Sequence, residues 1–123
     1  MHPTDDVAKA YLAWDECFNK GDAAALAGTY LPDAKLLPPT HSVVSGTAEI
    51  ERFFASLFQS GVTNHRLDMI ETGGDGRFVY GTARWSAAGE GTDGSPQSLG
   101  GFATHVFERQ GDGSLKLRLH TFN

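Results

Sequence analysis

The stretch AWDECFNKGDAAALAGTYLPDAKLLPP, residues 13–39, followed by GTAEIERFF, residues 46–54, decides the fold of this chain. It predicts a helix, a short second helix, a strand and a third helix, in that order. The first helix also extends towards the N-terminus, because apolar residues recur there at steps of four, three and four along one face. The residues of that face are Val7, Tyr11, Trp14 and Phe18.

Capping residues set the limits of these first elements. Thr4 and the two acids after it open the first helix, and Gly21 ends it. The carboxylate of Asp22 can cap a second helix over Ala23–Gly28. A strand is predicted around Ala34–Leu37, and the two prolines that follow stop it.

The second half of the chain has the periodicity of strands. A third helix begins near Gly46 and ends at Gly61, after which apolar and polar residues alternate with a period of two. Gly-Asp-Gly at 74–76 predicts a hairpin turn. Three further long strands are predicted over 78–88, 99–109 and 115–123. Helices first and an antiparallel meander after them predict the α+β class.

Four segments resemble the nuclear-transport-factor-2-like superfamily: AWDECFNKGD, TYLPDAKLLPP, GTAEIERFF and the terminal KLRLHTFN. That superfamily includes ketosteroid isomerases, SnoaL-like polyketide cyclases and SgcJ/EcaC-type domains of unknown role. The resemblance covers nearly the whole chain and implies one domain over residues 1–123. It implies a cone-shaped, strongly curved antiparallel sheet wrapped around three N-terminal helices, with an apolar cavity inside. It also implies a homodimer that forms through the convex face of the sheet.

Composition excludes several classes of function. The net charge is −5 and no cluster of Lys and Arg occurs, which argues against a nucleic-acid partner. No apolar run approaches the roughly 20 residues of a membrane span, and the polar, acidic N-terminus is unlike a secretory signal. The single cysteine, Cys17, cannot form an internal disulfide, so we expect a cytoplasmic protein.

The catalytic acids of ketosteroid isomerases have no equivalent in this sequence. The resemblance places the isomerase tyrosine at Trp14, its aspartate base at Pro38 and its second aspartate at Ala103 or Thr104. Proline cannot abstract a proton, and an indole N–H is a weaker acid than a phenol. We therefore expect no steroid-isomerase chemistry of that type.

Two histidines are the candidate catalytic residues. His105 shares strand parity with small or apolar residues suited to a concave face, so it is the stronger candidate. His120 lies where many relatives have an acid and could shuttle a proton. Its parity with Lys116 and Arg118 predicts a solvent-facing position, however, and places Asn123 in the cavity instead. His65 could face the cavity or the opposite side of the sheet.

Aromatic residues supply the candidate lining of a ligand pocket, although core packing is the competing interpretation for them. The candidate ligand-binding residues are Trp14, Phe18, Tyr30, Phe54, Leu57, Trp85 and Asn123. No His-x-His or His-x-x-x-His spacing occurs, so neither a metal nor another cofactor is expected.

Two functions remain open at this point. The first is a small-molecule pocket protein of the SnoaL-like type: a lyase, isomerase or cyclase for an apolar, ring-bearing substrate. The second is a non-catalytic ligand-binding or dimerisation module, which the missing acids favour. An enclosed cavity with His105 or Trp14 directed into it would support the first, and a filled cone the second.

Overall fold

The computed structural model describes residues 3–123, which form three helices and six strands. The helices lie on one face of a single curled, open sheet, and the α+β class is confirmed. The elements are α1 (Pro3–Asn19), α2 (Ala23–Ala27), β1 (Tyr30–Leu37), β2 (Val44–Ser45), α3 (Gly46–Gln59), β3 (Thr63–Gly74), β4 (Phe78–Glu90), β5 (Pro96–Arg109) and β6 (Leu115–Phe122).

The sheet is mixed rather than wholly antiparallel, which corrects the expectation. Its strand order is β2-β1-β6-β5-β4-β3, and β3 to β6 form the predicted antiparallel meander. The first strand instead runs parallel to the last, with Leu36 opposite His120. Everything from α3 to β5 lies between these two strands in the chain, and a crossover of that length permits parallel pairing.

Helix α1 is held over the concave face of the sheet by its apolar stripe. Val7, Tyr11, Trp14 and Phe18 are all buried, as the periodicity predicts. The helix approaches β4 closely at Gly81, where an added Cβ would lie 2.5 Å from the Tyr11 hydroxyl oxygen. The predicted cap of α2 is also present, since the Asp22 carboxylate accepts a hydrogen bond from the Ala25 amide at 3.0 Å.

A bulge in β6 changes which side chains of this strand face the core, so the prediction from strict alternation fails. Val106 of β5 pairs with Leu119, but Phe107 pairs with Leu117, so Arg118 is an extra residue in the ladder. Leu117 and His120 are therefore both buried although they are three positions apart. The expectation that His120 faces solvent is wrong, because its side chain is only 4% exposed. The expected place of Asn123 inside the cavity is also wrong, because this residue is exposed.

Strand boundaries differ from the sequence prediction mainly by extension. The first strand begins at Tyr30 rather than Ala34, because Tyr30 already pairs with Leu117. The strand predicted over 99–109 begins at Pro96, since its first residues continue the long hairpin with β4. Within residues 3–123, no helix has the length and apolar character that crossing a bilayer requires.

Candidate functional site

The curled sheet and the helices line an apolar cavity of about 250 Å³ that is partly open to solvent, so the cone is not filled. Six of the residues predicted for the site line it, namely Trp14, Phe18, Phe54, Leu57, Trp85 and His120. Trp14 and Phe18 come from α1, Phe54 and Leu57 from α3, and the other two from the sheet. The aromatic residues of the two helices thus line the cavity and also belong to or pack against the core.

Three predicted site residues lie outside this lining. Tyr30 is fully buried behind it and contacts His120. His105 lines a different cavity on the far side of Trp14. Asn123 is exposed, where its side-chain oxygen accepts a hydrogen bond from the Phe102 amide at 2.9 Å.

The polar group that sequence analysis left undecided is His65, which lines the cavity. Its ring stacks on Trp85 with an interplanar angle of 2° and also contacts Trp14 and Phe18. The His65 Nδ1 atom lies 2.7 Å from Oδ1 of Asp15, and both side chains are largely buried, at 8% and 16% exposure. A carboxylate only accepts hydrogen bonds, so Nδ1 of neutral His65 carries the proton. The lone pair is then on Nε2, which has no hydrogen-bond partner among residues 3–123.

Side chains of α1 fix the position of His65. Asn19 binds the His65 backbone on both sides: its Nδ2 donates to the His65 carbonyl at 2.9 Å, and its Oδ1 accepts from the His65 amide at 2.7 Å. The second oxygen of Asp15 accepts from the Leu67 amide at 2.9 Å. Asn64, just before His65, has a φ of 55°, which asparagine tolerates better than most residues. Hydrogen bonds to the backbone and to the ring of His65 therefore fix the position of its imidazole.

His120 is fixed by a chain of hydrogen bonds that begins at Trp14. The indole N–H of Trp14 donates to the Tyr30 hydroxyl at 3.3 Å, and that hydroxyl lies 2.7 Å from Nδ1 of His120. An indole can only donate, so the arrangement that gives each group a partner has Tyr30 donating its own proton to His120. The proton of the His120 ring is then on Nε2, which has no partner among the described residues. His65 and His120 thus line one cavity as opposite tautomers.

Burial keeps His120 and Tyr30 in their neutral forms. Desolvation holds the pKa of His120 well below its usual value, and the nearby His105 and His65 rings add to the effect. Desolvation likewise raises the pKa of the Tyr30 phenol far above its usual value, which keeps its proton available to His120. At neutral pH the His120 ring is therefore an uncharged hydrogen-bond donor.

His105 belongs to a neighbouring buried pair. Its Nδ1 lies 2.9 Å from the Tyr11 hydroxyl, and its ring stacks on that of His120 with 4.2 Å between centroids. Burial lowers the pKa of His105 to about 3, and the nearby His65 ring contributes in the same direction. Burial raises the pKa of the Tyr11 phenol. Like His120, His105 is neutral under ordinary conditions.

Of the positions that the isomerase resemblance singled out, only some line the cavity. Trp14 and Ala103 line it, whereas Pro38 is buried outside the lining and Thr104 is exposed on the other face of the sheet. Ala103 offers only a methyl group, and none of the lining residues is an acid. The only carboxylate hydrogen-bonded to a lining side chain, among the described residues, is Asp15 behind His65.

Sequence reasoning missed Asp15 because the residue lies beside the apolar stripe of α1 and looks like a solvated helix position. The signal in the sequence was that Asp15 and Asn19 are four residues apart in the first helix. Residues four apart on a helix lie on the same face, and these two polar side chains flank the stripe next to Trp14. Further lining residues come from α3, from loops and from strand faces: Phe53, Pro39, Thr40, Val62, Leu67, Leu99 and Phe122. In the part of the chain that the structure describes, no three His, Cys, Asp or Glu side chains are grouped to hold a metal ion.

Comparison with known proteins agrees with this architecture. The model of a family described as the SnoaL-like domain matches residues 10–116. No curated protein sequence matches the chain. A ketosteroid isomerase-like protein from Erwinia carotovora atroseptica SCRI1043 has a TM-score of 0.84 at 16% identity, over 96% of this chain and 92% of that one.

Two further solved structures have the same fold. An NTF2-like protein with a cystatin-like fold from Novosphingobium aromaticivorans has a TM-score of 0.80 at 15% identity, over 97% of this chain and 79% of that one. A protein from Streptomyces avermitilis, provisionally described as a dehydratase of the NTF2-like family, has a TM-score of 0.80 at 20% identity. That match covers 98% of this chain and 94% of the other. At these identities the likeness concerns the fold alone.

Proposed function

The chain belongs to the SnoaL-like domain family, and from this premise we propose that it binds an apolar, ring-bearing small molecule and moves a proton on it. The reaction class is that of a lyase, isomerase or cyclase. One observation carries the proposal: a histidine oriented by a buried carboxylate, His65 with Asp15 at 2.7 Å, lines an aromatic cavity. The provisional description of a structural neighbour as a dehydratase names one reaction of this class.

His65 acts as the general base. With its Nδ1 proton held by Asp15, the ring has its Nε2 lone pair free for a substrate in the cavity that His65 lines. The Asp15 carboxylate stabilises the imidazolium that forms when this nitrogen takes a proton from carbon. The stacked Trp85 ring limits rotation of the imidazole and excludes water from one of its faces.

His120 supplies the complementary hydrogen bond. Its Nε2 proton is fixed by the chain from Trp14 through Tyr30, and the ring is neutral because it is buried. A preorganised donor stabilises negative charge that develops on an oxygen when a neighbouring carbon loses a proton. The substrate therefore needs a carbonyl oxygen near His120 and an adjacent C–H near His65.

The test is hydrogen–deuterium exchange at the α-carbon of 1-tetralone, an apolar ring-bearing ketone, followed by NMR in D₂O. We expect the protein to accelerate this exchange and His65→Gln to reduce the acceleration by about 10² to 10⁴-fold, the usual range for a general base. Binding of 1-tetralone, followed by quenching of tryptophan fluorescence, should change little in that variant. Exchange that is equally fast in His65→Gln would show that the base lies elsewhere.

The ligand-binding module is the second candidate, and the absence of any acid from the cavity lining favours it. The same assay separates the two functions. Binding of 1-tetralone without accelerated exchange would establish the non-catalytic module. If 1-tetralone does not bind and its exchange is not accelerated, both functions are excluded for ligands of this class.

We also propose a homodimer formed through the outer face of the sheet. This face carries apolar side chains that remain exposed: Ile70, Tyr80 and Phe102. Arg84 lies over the Phe102 ring at 4.8 Å from its centroid. Sedimentation should give a dimer at tens of micromolar, an ordinary dimer affinity, and Phe102→Glu should give a monomer. A wild-type monomer at that concentration would contradict the proposal.

The proposed location is the cytoplasm. Cys17 is the only cysteine of the chain and is free. A reducing compartment suits such a thiol, and burial raises its pKa, which makes it less reactive.

A further inference from the structure

A second cavity, also of about 250 Å³, opens between α1 and the strands β5 and β6. Its floor is buried and includes Tyr11, His105 and Phe107. Its mouth is formed by exposed residues, among them Ala13, Gly28 and Ser114. Among residues 3–123, Trp14 alone lines both this cavity and the aromatic pocket, so it forms the wall between them.

His105 on this floor has an unsatisfied nitrogen. The residue is 1% exposed, and its Nε2 atom is buried with no hydrogen-bond partner among residues 3–123. Leaving a buried polar atom unpaired destabilises the folded protein. Because His105 lines the second cavity, an occupant whose acceptor reaches Nε2 would satisfy this nitrogen.

The bond to Tyr11 decides which kind of partner the nitrogen needs. If Nδ1 of His105 donated to the Tyr11 oxygen, the phenol proton and the Nε2 lone pair would both be left unpaired. If Tyr11 donates to Nδ1, only the Nε2 proton is unpaired. The second arrangement leaves fewer unsatisfied groups, so Nε2 is a donor that needs an acceptor.

We propose that this second cavity is a binding site for a small neutral molecule with a ring or short chain and one hydrogen-bond-accepting oxygen, which His105 Nε2 holds. A ketone has this chemistry. The apolar parts of Tyr11, Trp14 and Phe107 enclose the rest of the molecule. Cavities of about 150 Å³ with apolar walls admit benzene, so the volume suffices. The site is independent of the aromatic pocket and of the function proposed for it.

Cyclohexanone and methylenecyclohexane test the proposal, because they have nearly the same shape and only the ketone has an accepting oxygen. With protein labelled at the histidine ring nitrogens, we expect cyclohexanone to shift the His105 Nε2 signal saturably. Methylenecyclohexane should bind about ten-fold more weakly, as the loss of one hydrogen bond predicts. A His105 signal that cyclohexanone leaves unchanged would overturn the proposal.

Two variants on α1 distinguish this site from the aromatic pocket. Ala13→Trp should fill the mouth of the cavity and abolish the His105 shift. Leu12→Trp should not, because Leu12 is 73% exposed and lines neither cavity. A shift that persists in Ala13→Trp would place the ketone in the aromatic pocket and remove the second site. A crystal soaked in cyclohexanone that shows only a water on Nε2 would also remove it.

Discussion

Asp15 is the residue on which the proposed chemistry depends most directly after His65. We expect Asp15→Asn to reduce the exchange of 1-tetralone by about 10²-fold, the lower part of the range for acid–base groups. An amide can still accept the Nδ1 hydrogen bond, but it cannot stabilise the imidazolium with a negative charge. Affinity for 1-tetralone should change little, because Asp15 lies behind His65 and does not line the cavity.

Glu16 is the matched control for that substitution. It lies next to Asp15 in α1 but pairs with Lys20 at the surface. Glu16→Gln should leave both exchange and affinity as in the wild type. Equal losses in Asp15→Asn and Glu16→Gln would assign the effect to helix charge and not to the His65 pair.

Gly81 is the position where a single added methyl group does most harm. A Cβ there would lie 2.5 Å from the Tyr11 hydroxyl oxygen and 2.8 Å from Val7, and both side chains are buried. We expect Gly81→Ala to lower the free energy of unfolding by about 1–3 kcal/mol, as overpacking usually does. Gly111→Ala is the control, since nothing lies within 4 Å of its Cβ position. Urea denaturation measures both, and equal midpoints for the two variants would contradict the close approach.

The sequence predicted single residues best where they lie on a helix. The spacing of Trp14 and Phe18 placed them correctly, and both line the cavity. The positions predicted for His120 and Asn123 were wrong. Side chains stop alternating between the two faces of a sheet where a strand contains an extra residue. The Asp15–His65 contact joins residues fifty positions apart, and only the folded chain brings them together.

At the scale of elements, the junction between α1 and β3 is held by Asn19. Its two hydrogen bonds to the His65 backbone lie at the exposed end of the helix. We expect Asn19→Ala to lower the free energy of unfolding by about 1 kcal/mol, the usual net value of such bonds. It should also slow tetralone exchange, because His65 loses its backbone support. Gln59→Ala at the exposed end of α3 should change neither quantity.

Element types were predictable because each has a local cause. Asp22 caps α2, and the apolar face of α1 has the helical period. Which elements pair with each other was harder to predict from the sequence. The parallel contact of β1 with β6 and the bulge at Arg118 both depend on strands distant in sequence, and no short-range pattern specifies them.

For the whole molecule, the buried histidines predict how stability depends on pH. Burial lowers the pKa of His105 from 6.5 to about 3 and that of His120 in the same direction. Below about pH 6.5 the unfolded chain binds protons that the folded protein cannot accept, so stability is full above that pH and decreases towards pH 3. Each histidine can remove up to about 1.4 kcal/mol per pH unit in this window.

Urea denaturation between pH 7 and pH 4 measures this loss. His105→Gln should show a shallower dependence than the wild type, whatever its absolute stability. His41→Gln should show the wild-type slope, because His41 is exposed. Parallel pH profiles for the wild type and His105→Gln would exclude His105 as a source of the effect.

The pairing of β1 with β6 also affects when this part of the sheet can form during synthesis of the chain. During synthesis β1 emerges from the ribosome well before β6, the strand with which it pairs in parallel. This parallel pair therefore forms late, because contacts so distant in sequence form slowly. A chain interrupted before residue 115 would lack His120, and β1 would have only the short strand β2 as a partner. The edge of β1 that β6 covers is then open to pairing with another unfinished chain until β6 has been synthesised.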